Sequence, residues 1–429
     1  MSAVATSHRV DPAAVNAALI RLIAASAIVF GVFLSGFVIR EPAPYELYMA
    51  GLLAVWALFG LRISRTVAPL LVLFVLFNLG GAIAMTQMAD ISGAPMYVLV
   101  SLFLAFTSVF FAAVIERQAS YLPLIFKSWT AAAVVTALLG IGGYFGLFPD
   151  GLFTLYDRAA GAFQDPNVFG PYLAAPGLYL LHTVLTGGPR RALLAAPPLA
   201  IIGAGLFLSF SRGAWGLFAA AAVIMVACLF LQSTSTRFRL RLAFMCLLAM
   251  VAIVLLVLVV LQLPGVSDLF TVRAQLVQDY DSARLGRFAR FGIGFLLALE
   301  RPFGIGPLVF GTIYGEDTHN IWLKALMDYG WLGFVCWVAI VVWTVAGGFR
   351  ILFRARPWQP FLLVAYATFL GHLVLGTVID MDHWRHFYLL IGLIWGAMAL
   401  ERRHEIARRL ANPVDRAPPS EIHRPRFGA

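Results

Sequence analysis

The side chains of this 429-residue chain best suited to chemistry are arginines and a histidine set among long apolar runs. Arg284, Arg287 and Arg290 recur at three-residue spacing within "DYDSARLGRFARFGIGFLLALERPFGIG", with Leu285, Phe288, Phe291 and Phe295 between them. On a helix, that spacing lays three guanidinium groups along one broad face, and Ser282 stands where it could cap the start. Two uses fit. A surface-lying amphipathic helix would turn the arginines toward lipid phosphates. A substrate site would use them as a cationic lining, since the planar guanidinium grips phosphate oxygens in pairs and stays charged. The spacing does not choose between them.

Arg212, in "LFLSFSRGAWGLF", is the only charged side chain between Ala192 and Leu231. An arginine left in hydrocarbon costs roughly 2.5–3.5 kcal/mol, so it needs an interface or a partner. His319 and Asn320, in "EDTHNIWLKALMDYGWLGF", stand where a polar stretch enters an apolar run. A titratable base there meets both membrane and water, although a purely structural histidine is the plainer reading. In "GAFQDPNVFG", Pro166 disfavours helix at Asp165 and Asn167 can cap the helix that follows. In "DMDHWRHFY", Asp380, Asp382, His383 and His386 superficially resemble a metal cluster, but nothing fixes a ligand geometry and no metal is expected. "RHEIAR" lacks the second histidine of a zincin helix, and there is neither a phosphate-binding loop nor a dinucleotide fingerprint.

The elements that position these residues must be membrane helices. Hydrophobic residues make up 61% of the chain and charged ones 12%, about half the share of a soluble domain. Apolar segments lie at about 17–39, 45–61, 66–87, 95–115, 122–147, 168–187, 192–208, 213–231, 242–263, 321–347, 358–379 and 387–400. This predicts an all-α polytopic membrane protein of about 12 transmembrane helices, since a span needs about 20 apolar residues. The start, "MSAVATSHRVDPAAVNAALIRL", reads as a retained first helix, without a small-residue cleavage site. Cys228, Cys246 and Cys336 show no pairing pattern. Residues 1–400 form one transmembrane domain, with long outer loops at about 148–167 and 264–320. Residues 401–429 read as a Pro-rich, disordered cytoplasmic tail.

With both termini in the cytoplasm, 21 of the 31 Lys and Arg fall inside, and 15 of the 21 acidic residues fall outside. The inner face then carries +15 and the outer −5, so the net +10 is a positive-inside bias rather than a sign of nucleic-acid binding. Arg212 sits in a tight outer turn between two spans, on the same side as both long loops and His319.

The ordered set "GAFQDPN", "LSFSRGAWG", "ARLGRFARFGIGFLLALERPFGIG" and "THNIWLKALMDYGWLG" resembles the O-antigen ligase family over about 155–400. That family comprises bacterial polytopic glycosyltransferases that include O-antigen ligases and Wzy-type polymerases. The resemblance implies a C-type glycosyltransferase-like fold with a long periplasmic loop, in the bacterial inner membrane. It also implies an undecaprenyl-diphosphate-linked glycan donor, inverting transfer, and neither cofactor nor metal. Acceptors of the family are lipid A core, another lipid or a growing glycan. Arg212 matches the arginine of the family's "SR" turn and His319 the histidine of its "HN" element. Arg284 matches the arginine early in the long loop, and Asn167 the "PN" asparagine.

Chemistry agrees with the resemblance. Displacing a diphosphate needs cations where charge develops, which arginines supply, and a base for the acceptor hydroxyl, which a histidine near neutrality supplies. Arg212, Arg284 and His319 are therefore the expected catalytic residues. Arg287, Arg290, Asn167 and Asn320 are expected to line the glycan and diphosphate. A ligase is favoured, with a Wzy-type polymerase as the alternative and a polysaccharide transporter as a distant one. Transporters usually carry ionisable groups at mid-membrane and repeated or broken helices, and here His182 and His372 are the main mid-depth candidates.

Overall fold

The computed structural model describes residues 11–60, 62–260, 262, 267, 270 and 286–411. Among them the first nine helices are α1 (Pro12–Leu34), α2 (Pro44–Leu58), α3 (Ala68–Met85), α4 (Ala94–Arg117), α5 (Tyr121–Tyr144), α6 (Pro166–Thr186), α7 (Pro189–Leu208), α8 (Arg212–Gln232) and α9 (Thr236–Val260). Two shorter helices, α10 (Arg287–Glu300) and α11 (Val309–Tyr314), occupy the second long loop. The chain then runs through α12 (Ile321–Leu352), α13 (Gln359–Leu375) and α14 (Arg385–Ala411). All but α10 and α11 take up the twelve apolar segments one for one, as lipid demands of a backbone that must satisfy its own hydrogen bonds. Nine of these, among the described residues, are long and apolar enough to cross a membrane. The remaining three fall short: α2 has 15 residues, α13 has 17, and α14 turns charged from Glu401 onward. The expected tail also begins differently, because α14 stays helical to Ala411; 412–429 lie outside the described residues.

The centre of the bundle is α14, buried almost without interruption from Arg385 to Ala397, with α4 along one side and α12 and α13 along others. A second group, α5 to α8, closes against α13. Helix α9 packs on α8 and exposes Leu247, Leu248, Met250 and Val251, a surface suited to lipid tails. Ion pairs gather at the two ends of the bundle. At one end Arg354 and Arg356 hold Glu401, and at the other Arg385 holds Glu41 and Glu46. Each pair joins residues expected on the same side of the membrane.

Helix α12 is broken, and the break explains two glycine motifs. Gly330 sits at φ 63° and ψ −173°, which interrupts the helical ladder. The segment Pro302–Gly306 repairs it: Ile305 N–H donates to the Met327 carbonyl at 2.8 Å, and Trp331 N–H donates to the Pro302 carbonyl at 3.0 Å. Both chains must come close. A Cβ on Gly304 would meet the Met327 carbonyl oxygen at 2.5 Å, and one on Gly330 would meet the Phe303 backbone at 2.7 Å. Irregular backbone at this depth is tolerable only where protein covers it, and here it does. The second long loop is thereby anchored to the half of α12 that begins at the "HN" element.

Candidate active site

The first long loop contains a small hairpin, β1 (Thr154–Leu155) and β2 (Arg158–Ala159), closed by Tyr156 and Asp157, both at positive φ. Paired positive φ at the two central residues matches the twist of the strands. The hairpin turns Arg158 inward, where it is 5% exposed. Its Nε donates to the Ser209 carbonyl at 2.7 Å and its Nη2 to Asn167 Oδ1 at 2.9 Å. One guanidinium thus ties the end of α7 to the start of α6. Nothing singled Arg158 out in the sequence, since an arginine in a polar loop reads as solvated.

The same corner holds Arg212, the first residue of α8, which is partly exposed. The turn before it is sharp, with Phe210 at φ 45°, and Ser211 caps α8 by accepting from Ala214 N–H at 3.4 Å. Helix α6 starts beside it. Asp165 accepts from Asn167 N–H at 2.7 Å, so Asp165 is the cap and Asn167 is already inside the helix. The expectation that Asn167 caps α6 is corrected accordingly; its side chain serves Arg158 instead. The approach of α6 to α8 is close enough that a Cβ on Gly170 would meet Ala214 Cβ at 2.6 Å.

From this corner the packing leads directly to His319. A Cβ on Gly213 would meet Leu375 at 2.5 Å, placing the start of α8 against the end of α13. The next carbonyl, Gly376, accepts from Ile321 N–H at 2.8 Å. Asn320 caps α12 by accepting from Trp322 and Leu323 N–H at 3.0 and 3.2 Å, and its Nδ2 donates to the Thr377 carbonyl at 3.0 Å. Asn320 therefore fastens the helix start to the α13–α14 turn. His319, just before it, adopts φ 51°, a strained value for a non-glycine residue. Its Nδ1 lies 3.6 Å from Asp380 Oδ2, and its side chain is 37% exposed. Burial pushes the Asp380 carboxyl up to about 7; Lys324 opposes the shift, while Asp382 and Asp317 add to it.

Behind His319 lies a dense polar cluster. Lys324, 4% exposed in its side chain, pairs with Asp317 at 2.7 Å and Asp328 at 3.4 Å, and sits over the Tyr97 ring. Tyr97 O–H donates to Asp382, and the two ring nitrogens of His383 each lie 3.0 Å from an acceptor, Asp382 Oδ2 and the Tyr97 carbonyl. Burial works against the Asp382 charge, but His383, Lys324 and these hydrogen bonds hold its carboxyl well below the usual range. The four residues that looked like a metal cluster thus divide. His386 packs instead against His372 and Trp384, and no group of three or more potential metal ligands occurs among the described residues.

Of the arginine triplet, the structure describes the side chain of Arg290 alone. Arg284 and Ser282 lie outside the described residues, and Arg287 is described only as the first residue of α10. Helix α10 itself begins after Gly286. Arg290 is neither lipid-facing nor on an open lining: it is 5% exposed and pairs with Glu316 at 2.6 Å. That pair, with Gly294 packed on Met327 and Thr318, seats α10 beside the "HN" element. The outward surface of α10 is apolar, with Phe288, Phe295, Leu296 and Leu299 exposed.

A many-spanning helical bundle whose arginine turn and histidine are linked through the end of α13 defines a polytopic membrane protein with a polar site at one end of the bundle. Residues 197–338, about a third of the chain, match the family model described as O-antigen ligase. The matched stretch contains Arg212, the Pro302–Gly306 segment and His319. No curated protein matches the chain.

Proposed function

We propose that this protein transfers a glycan from an undecaprenyl-diphosphate carrier to an acceptor hydroxyl at the outer face of the bacterial inner membrane, with both termini cytoplasmic. The observation that carries this reading is the convergence of three separate elements at one end of the bundle. The α7–α8 turn with Arg212, the hairpin with Arg158, and the start of α12 with His319 are linked through the end of α13.

In the reaction, the acceptor oxygen attacks the anomeric carbon as the bond from that carbon to the diphosphate breaks, inverting the centre. The departing diphosphate gathers charge beside Arg212 and Arg284, which stabilise it as fixed cations in place of a metal. His319 Nε2, on the side of the ring away from Asp380, takes the hydroxyl proton. Asp380 lies within reach of Nδ1 and stabilises the imidazolium that results. Asn167 and Asn320 hold the framework of the site rather than the sugar. Arg290 acts by seating α10, and Arg287 remains assigned to the substrate lining with Arg284.

A ligase is the preferred reading, and the test separates it from a polymerase. In a deletion strain, long carrier-linked chains that never reach their acceptor mean a ligase; acceptor bearing a single repeat means a polymerase. Restoring the strain with His319→Ala is expected to leave protein level intact and remove transfer, a loss of about 10²–10⁴-fold for a general base. Full activity in that variant overturns the base assignment, and an unchanged glycan profile on deletion overturns the function.

A further inference from the structure

The opposite, basic end of the bundle carries a groove with a chemistry of its own. It has a volume of about 660 Å³ and lies between the second half of α12 and the middle of α14, with Thr66 at its edge. Its lining is graded along α12. Val342 and Trp343 form an apolar wall, Gly347 with Met398 opposite forms a floor, and Arg350 and Arg354 follow toward the helix end. Val342 to Arg350 is eight residues, about 12 Å of helix. Arg402, on α14, faces the same head region.

We propose that this groove binds an anionic phospholipid, with acyl chain along Val342, Trp343 and Gly347 and phosphate among Arg350, Arg354 and Arg402. Charge decides the class of ligand. Glu401, 2% exposed, is held by Arg354 and Arg356 through contacts of 2.9 Å, and Glu405 is held by Arg354 as well. Three arginines and two carboxylates therefore line the groove, which leaves a positive excess, and Arg356 beside it takes up part of the Glu401 charge. Arg350 is exposed and, among the described residues, makes no ion pair or hydrogen bond; Arg402 reaches Glu405 only at 3.8 Å. Polarity decides the shape. A soluble phosphoester would fill the head region and leave the apolar wall bare, whereas a lipid satisfies both, as basic grooves between membrane helices do. The inference is independent of the catalytic reading, because none of these residues belongs to that site.

The test uses the full chain in phosphatidylcholine vesicles carrying small fractions of brominated phosphatidylglycerol or brominated phosphatidylcholine. Trp343 is 45% exposed, and the difference between wild type and Trp343→Phe isolates its fluorescence. The phosphatidylglycerol probe is expected to quench Trp343 at a lower fraction than the phosphatidylcholine probe. Arg350→Gln and Arg402→Gln should each reduce that preference about fivefold, the value of one arginine near an anionic headgroup. Gly347→Leu, whose Cβ would meet Met398 at 2.4 Å, should fill the floor and remove the preference. Equal quenching by the two probes in wild type overturns the proposal. So does relief of quenching by millimolar glycerol phosphate, which would assign the arginines to a soluble phosphoester.

Discussion

The two halves of the candidate site carry opposite charge. Around the α6–α8 corner the cations are buried Arg158 and partly exposed Arg212, with Asp165 spent as a helix cap. Around the start of α12 and the α13–α14 turn, Asp317, Asp328, Asp380 and Asp382 surround one buried lysine. The difference supports the proposed division of the chemistry. A diphosphate is attracted to the first half and repelled by the second. A histidine that must accept a proton gains from the carboxylates of the second, which favour the imidazolium. In the proposed reaction, leaving-group stabilisation and base catalysis therefore fall on two structural halves, linked among the described residues through the end of α13. Each of the following substitutions strikes one half.

The largest effect is expected from Lys324→Met. Among the described residues, Lys324 is the only lysine or arginine paired with Asp317 and Asp328, and Asp328 is 1% exposed. Removing one member of a buried pair leaves the other charge uncompensated, at about 3–5 kcal/mol. The variant should accumulate poorly and melt well below wild type in detergent, whereas Lys324→Met combined with Asp328→Leu should recover much of the loss. If the single variant melts like wild type, the carboxylate half is not held together by this lysine.

Next comes Arg158. Replacement by Met strands the buried Ser209 carbonyl, a cost of about 1–3 kcal/mol, and also frees the half-buried Asn167 amide, at a smaller cost. Transfer should fall with it, because Arg212 sits three residues beyond Ser209 on the same turn. Arg158→Lys keeps the charge but cannot span two acceptors with one fork, so it should rescue little. Recovery of activity with Lys would mean that Arg158 matters to the reaction through charge rather than through the bridge.

Asp380→Asn sharpens the comparison through pH. The wild-type carboxyl titrates at about 7, so it is neutral below that value and charged above it. Above pH 7 the carboxylate raises the proton affinity of His319; the amide cannot. Transfer by a neutral base rises with pH, and losing the negative neighbour should move that rise to lower pH while reducing the maximal rate. A profile that keeps its midpoint would show that the 3.6 Å approach of Asp380 to His319 carries no coupling.

How much of this was legible before folding depends on whether the signal was local. The twelve helices, Arg212 in its tight turn, and His319 with Asn320 at a helix start were all readable, because apolar length and a stranded charge are local signals. The short length of α2 and the helical course of α14 past Glu401 were not, since caps and neighbours rather than hydropathy end those helices. Arg158 was missed because its meaning lies in a carbonyl on another helix. Asp380 was noticed for the wrong reason, as a possible metal ligand, because its partner is distant in the chain. "PFGIG" and "GWLG" were both noted, but only their hydrogen bonds reveal one joint: the Trp331 N–H left over by the break at Gly330 is taken by the Pro302 carbonyl.

The smallest effect belongs to Glu316→Gln. Glu316 is 63% exposed in its side chain, and Arg290 is buried, so the pair lies at the boundary with water. Exposed ion pairs contribute at most about 1 kcal/mol, and glutamine still accepts a hydrogen bond from the guanidinium. Stability should therefore change little, and α10 should dock only somewhat more loosely beside the "HN" element. If Arg290 serves only to seat that helix, KM for the donor rises slightly while kcat holds. A fall in kcat with KM unchanged would mean that Arg290 meets charge developing in the transition state. The carboxylate-rich half would then contain a cation aimed at the diphosphate, and the division of labour between the halves would fail.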